Sequence, residues 1–121
     1  MAKNERVSNQ TRGAVLGEQV RRADNPWTRF VGLMGRGTLP VGEGLHIAPC
    51  SSVHMFFMRI PLDIVYLDKD LRVVKAVSNL KPWRISAARG AKTVLELPIG
   101  TIARTGTAAG DQVAVEAGSR G

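Results

Sequence analysis

Sulfur and aromatic rings are scarce in this chain. Cys50 is its only cysteine, so no internal disulfide can form, and a small secreted scaffold stapled by cross-links is excluded. Aromatic residues make up 5% of the 121 residues. With no RRM, KH or zinc-finger spacing present, that argues against a nucleic-acid reader built on stacked bases. No apolar run approaches the roughly 20 residues of a membrane helix. The longest, around Val53 to Leu67, is cut by Arg59, Pro61 and Asp63. The opening MAKNERVSNQTRG is polar and lacks the apolar stretch of a secretory signal. These absences lead to the expectation of a cytoplasmic protein with no membrane insertion. Acids are outnumbered, 10 against 17 lysines and arginines, for a formal net charge of +7. The excess is spread along the chain rather than gathered into one arm, and it favours anionic partners in general.

What the chain does have is apolar content, 44%, and turn formers, with 13 glycines and 6 prolines. That combination suits a fold of many short strands. Residues 1–12 read as a disordered tail, 13–117 as a single globular domain and 118–121 as a frayed end. Ala14 to Arg22 reads as a strand. Asp24-Asn25-Pro26 reads as a helix start, because Asp24 or Asn25 can cap and proline suits the first helical position. Trp27, Phe30, Val31 and Met34 then fall on one helical face that should pack on a sheet, and Gly35 and Gly37 end the helix. Further strands are expected at Leu45 to Ala48, Ser52 to Met58, Leu62 to Leu67, Leu71 to Val77, Thr93 to Leu97 and Gln112 to Glu116. Ser52 to Met58 reads as a buried central strand, and Leu62 to Val77 as an antiparallel hairpin around Asp68-Lys69-Asp70. Asn79 to Gly90 reads as a long basic loop, and Ile99 to Thr105 as one or two helical turns. The fold expected is β-rich α+β: an antiparallel sheet curled into a small, partly closed barrel or sandwich with one packed helix.

Four blocks, RFVGLMGRGTLP, FFMRIPLDIVYLDKD, RVVKAVSNLKPWR and TVLELPIGTIARTGTAAGDQV, occur in this order over roughly residues 14–116. Their order and spacing resemble the bacterial and archaeal domain-of-unknown-function family 192. The resemblance implies a compact β-rich fold and no established activity. The chain departs from many members in two places. Gly44-Leu45-His46-Ile47 stands where they carry Gly-Met-Leu-Phe, and Phe57-Met58-Arg59-Ile60 where they carry Trp-Met-Lys-Asn-Thr.

Charged residues inside apolar strands are the strongest site signal. Asp63 sits between Leu62 and Ile64, Glu96 between Leu95 and Leu97, and Arg59 closes the preceding run. A buried carboxylate must find a partner, reach a cleft or take up a proton. Pairing of Arg59 with Asp63 or Glu96 is the simplest arrangement. From Leu71 to Leu95 the chain carries Arg72, Lys75, Lys81, Arg84, Arg89 and Lys92 with no acid, and Trp83 in their midst. The leading expectation is therefore a binding or accessory module for a small polar or anionic ligand, or a protein partner, at Arg59, Asp63, Trp83, Arg84 and Glu96. A hydrolase using Asp63 with Glu96, or Cys50 with His54, is the second reading, and a nucleic-acid binder the third. His46, Cys50, His54 and Asp63 are the one local set of metal-ligand types, but Pro49 prevents His46, Cys50 and His54 from sharing a helical face. Gly32-x-x-Gly35 and Gly106 to Gly110 match no phosphate-binding or dinucleotide fingerprint, so no cofactor is expected.

Overall fold

The computed structural model describes residues 4–23, 37–55 and 58–117. Nine strands and one short helix are defined there: β1 (Asn4–Asn9), β2 (Ala14–Ala23), β3 (Glu43–Ile47), β4 (Ser52–His54), β5 (Leu62–Leu67), β6 (Val73–Leu80), β7 (Ile85–Ala87), β8 (Thr93–Leu97), α1 (Thr101–Thr105) and β9 (Val113–Ala117). Seven strands form one sheet in the order β6-β5-β8-β3-β2-β1-β9, and β4 and β7 form a separate two-stranded ribbon. The helix expected from Asp24 onward, with its face of Trp27, Phe30, Val31 and Met34, lies outside the described residues, as do Phe56, Phe57 and the end from 118.

The large sheet is mixed, which corrects the expectation of an antiparallel one. β2 and β3 run parallel, with Arg21 beside Leu45 and Ala23 beside Ile47. Parallel neighbours need a crossover of a dozen or more residues, and the chain between Ala23 and Glu43 is long enough to supply it. The other pairings in the sheet are antiparallel. The two edge strands meet at one corner, where Arg72 bridges to Gln112 and the Val73 amide donates to Asp111 O at 2.8 Å. The sheet thus curls into a half-barrel.

Residues 4–9 are strand, not tail. β1 pairs with both β2 and β9 and buries Glu5, Val7 and Asn9 on one face. Two of those three inward positions are polar, so the strand carries almost no apolar alternation to read. The run Ser52 to Met58 is likewise not a central strand. Only Ser52–His54 pair, with β7, inside what reads as the basic loop.

Each face of the sheet packs its own core. On one face Leu16, Val20, Leu67 and Leu97 pack with Ile102 of α1; this is the helix face. On the other, Leu45, Ile64, Tyr66 and Val94 pack with Val53, Met55 and Ala88 from the ribbon and its flanks; this is the ribbon face. β5 is buried at all six positions because it is covered on both sides.

Candidate functional site

Register decides the fate of the proposed carboxylate pair. Asp63 stands beside Leu97, and Ile64 beside Glu96. Successive residues of a strand point to opposite faces, so Asp63 lies on the helix face and Glu96 on the ribbon face. They share no cavity. Arg59 is exposed in the turn before β5, while Asp63 bonds two backbone amides and Glu96 has no charge partner among the described residues. The arrangement of Arg59, Asp63 and Glu96 expected from sequence therefore comes apart into three separate environments.

Asp63 is 1% exposed and serves the backbone. Its Oδ1 accepts the Asn79 amide at 2.9 Å and its Oδ2 accepts the Ile102 amide at 2.9 Å. Asn79 has a φ of 57°, a left-handed conformation that Asn tolerates and that aims its N–H at the carboxylate. The N-cap residue of α1 is Gly100, which has no side chain to cap with. Asp63 supplies that acceptor from the neighbouring strand.

Glu96 is 8% exposed, and burial pushes its carboxyl up to about 7. Among the described residues no side chain or amide hydrogen-bonds or ion-pairs with it. Tyr66 and Ser86 share its surroundings. The Tyr66 hydroxyl is raised above its ordinary range, chiefly by burial, with Cys50 and Glu96 adding to the rise and Ser86 tempering it. Tyr66 Oη and Ser86 Oγ are both buried and lie close enough to influence one another, yet neither makes a hydrogen bond of good geometry among the described residues. Tyr66 comes from β5, Glu96 from β8 and Ser86 from β7, so the ribbon brings its serine over the neighbouring strands β5 and β8 and the three polar groups share one region. Buried polar groups are satisfied in the great majority of cases, which sets this trio apart from the Asp63 and Asp111 carboxylates. In the row of the sheet that holds Glu96, Leu45 and then Arg21 follow on β3 and β2.

Trp83 and Arg84 lie on the turn that enters β7. The Trp83 amide donates to Met55 O, and the Met55 amide donates to Arg84 O, both at 2.7 Å. This holds Trp83 at φ 69° with its side chain 59% exposed.

Two polar clusters escaped sequence reasoning because both rest on β1. On the helix face, His46 Nδ1 lies 2.8 Å from Glu5 Oε1, and Arg22 Nη1 donates to Glu5 Oε2 at 3.4 Å. Burial works to raise the Glu5 carboxyl, but His46 and Arg22 outweigh it and hold the group below its ordinary range. His46 is thereby engaged on the face opposite Tyr66 and Glu96. Among the described residues no three His, Cys, Asp or Glu side chains converge on a metal position. The second cluster is structural. Asp111 Oδ2 accepts from Asn9 Nδ2 (2.9 Å), Arg12 Nε (2.9 Å) and the Ala108 amide (3.0 Å), which draws its carboxyl down to about 2, Arg12 contributing most. Cys50 Sγ donates to Ser52 O at 2.9 Å, so the thiol is used as a hydrogen-bond donor.

A half-barrel of mixed sheet, with a helix on one face and a ribbon on the other, defines a small β-rich domain class that carries Glu96, Tyr66 and Ser86 between ribbon and sheet. Residues 7–115 match the DUF192 family, described as Uncharacterized ACR, and the chain belongs to it. It is 36% identical over 112 residues to a UPF0127 protein of Thermococcus sibiricus, covering 87% of this chain and 71% of that one. It is 35% identical over 113 residues to the UPF0127 protein PF1050 of Pyrococcus furiosus, covering 87% and 93%. Among solved structures, a protein of unknown function from Novosphingobium aromaticivorans superposes with a TM-score of 0.79 at 28% identity, over 93% of this chain and 84% of that one. A Sinorhizobium meliloti protein described as a candidate transcription regulator superposes with a TM-score of 0.81 at 24% identity, over 95% and 94%. At that identity the likeness is one of fold alone.

Proposed function

We propose that this domain is a binding module that holds a small polar ligand between the ribbon and the sheet, against Glu96, Tyr66 and Ser86. The observation that carries the reading is Glu96, a carboxyl buried without a counter-charge or hydrogen bond from the described residues. Such a group is costly to keep, and a ligand donor or acceptor would offset that cost. With its carboxyl at about 7, Glu96 is part protonated near neutrality, so it can donate as well as accept. The Tyr66 and Ser86 hydroxyls have the same double capacity. Three such groups, none of them cationic, suit an uncharged ligand or one bearing an amine better than a phosphate. Asp63 falls out of the site, because its two oxygens are committed to backbone amides. A hydrolytic carboxylate pair has no support from an arrangement in which the two acids occupy opposite faces.

The test is a screen of small polar compounds by ligand-observed NMR, run in parallel on the wild-type chain and Glu96→Leu. Compounds that bind the wild type and lose binding in the variant are the expected result. If no compound binds, or if hits bind both proteins equally, the reading is wrong.

A further inference from the structure

We infer that the end of the sheet bearing Val41, Trp83 and Ile99 docks onto an anionic phospholipid surface, lying on the membrane without crossing it. This goes beyond the ligand site and does not depend on it. Among the described residues the large apolar side chains left exposed are Val41 (80%), Ile85 (70%), Trp83 (59%) and Ile99 (54%). Register places them together. Leu45 pairs with Glu96 and Asp63 with Leu97, so the turn before β3, the turn before β5 and the turn after β8 lie at one end of adjacent strands. Leu62 pairs with Leu80, which brings the exit of β6, and with it Lys81 to Ile85, to that same end.

The four residues sit on three separate turns rather than in one groove. Val41 precedes β3, Ile99 follows β8, and Trp83 with Ile85 marks the entry to β7. Strand spacing of about 4.8 Å sets successive turns side by side. Single apolar side chains at the tips of neighbouring turns suit a soft, flat phase that each can enter, whereas a protein partner would need a matching relief. Charge points the same way. Arg59, Lys81 and Arg84 are exposed among these tips, and the chain as a whole carries +7. Of the acids near this rim, Glu43 is half-buried and already engaged, and Glu18, exposed on β2 beside the Val41 turn, is ion-paired with Arg6 at 3.4 Å. Tryptophan beside lysine and arginine, with apolar tips between them, is the composition that settles at the lipid headgroup layer. The backbone here is also held, by the Trp83 amide donating to Met55 O and the Met55 amide donating to Arg84 O, each at 2.7 Å, so little ordering is needed on docking. No helix among the described residues is long and apolar enough to cross a membrane, in keeping with a surface-bound state.

The experiment is vesicle cosedimentation of the full chain, using vesicles of phosphatidylcholine alone and of phosphatidylcholine with phosphatidylglycerol. Binding is expected to the anionic vesicles and not to the neutral ones, and to fall away as salt is raised. Each of Arg59→Gln, Lys81→Gln and Arg84→Gln is expected to weaken it roughly fivefold at low salt. Val41→Ser with Ile99→Ser, both exposed and so expected to fold, is expected to weaken it at least tenfold. In a Trp27→Phe background, emission from Trp83 shifts to the blue on binding. Equal partition to neutral and anionic vesicles, or undiminished binding by the Val41/Ile99 variant, would overturn the inference. So would binding to polyglutamate without binding to vesicles, which would assign the surface to an acidic protein partner instead.

Discussion

Removal of the Asp63 carboxylate tests how β5 is tied to the end of β6 and to α1. In Asp63→Ala the amides of Asn79 and Ile102 each lose an acceptor at 2.9 Å. An amide left unsatisfied by such a deletion costs roughly 1–3 kcal/mol when fully buried. Both bonds are partly buried, so water can recover some of the loss and the lower half of that range applies to each. The sum is about 2–4 kcal/mol, a large share of the ~5–15 kcal/mol that keeps a domain folded. Asp63→Asn keeps one acceptor and turns an N–H toward the second amide, so its cost falls below that of alanine without vanishing. Equilibrium urea denaturation measures both, with the slope expected to stay constant while the midpoint falls. Arg59→Ala, by contrast, removes an exposed side chain and should change stability by no more than about 0.5 kcal/mol. The double variant should show no coupling. A loss below 1 kcal/mol in Asp63→Ala would refute the assignment of this carboxylate to backbone capping. Coupling above 1 kcal/mol with Arg59 would restore the ion pair that the register denies.

Three further outcomes follow from the same geometry. Glu96 has its native carboxyl raised from 4.5 to about 7, so the folded state binds the extra proton. Its contribution is most favourable below pH 4.5 and is lost as pH climbs toward and past 7, in total about 3 kcal/mol. Glu96→Gln should abolish that slope in urea midpoints measured from pH 4.5 to 8. Asp111 has the opposite sign. Its carboxyl is drawn from 3.8 down to about 2, so its stabilisation holds above pH 3.8 and is lost as pH falls toward 2, and Asp111→Asn should flatten the acid limb of the unfolding profile. Gly44→Ala places a Cβ 2.8 Å from Glu96 O and 2.8 Å from Leu97 Cδ2. Because one contact is backbone, the two central strands must part, and thermal denaturation should report a loss of about 1–3 kcal/mol.

The parts of the fold legible in sequence were those whose buried positions are apolar. β5, β6, β8, β9 and the short helix stand close to where Leu62 to Leu67, Leu71 to Val77, Thr93 to Leu97, Gln112 to Glu116 and Ile99 to Thr105 were expected. β1 was missed because Glu5 and Asn9 do the burying and only Val7 signals a core. The parallel pairing of β2 with β3 carries no composition mark, since nothing in either strand records which way its neighbour runs. Met55 and Met58 are buried as read, yet the pairing stops at His54, because burial under a sheet does not require membership of it. The site was half legible. Sequence correctly flagged Asp63 and Glu96 as charges within apolar strands. It could not show that they face apart, because alternation is silent in β5 and nearly so in β8, which are covered on both sides. Tyr66 and Ser86 escaped notice because a tyrosine in an apolar strand and a serine in a loop look ordinary until their hydroxyls are found buried beside Glu96.

The stability of Glu96→Leu against the wild-type chain at pH 8, read by urea denaturation without added ligand, bears most directly on the claim that this carboxyl is held in reserve for a guest. A leucine there should make the domain more stable, by an amount on the order of 3 kcal/mol, since a buried charge with no partner among the described residues is exchanged for an apolar side chain of similar reach. A variant less stable than the wild type would mean that Glu96 already has its partner within the fold, and the ligand site would be lost with it.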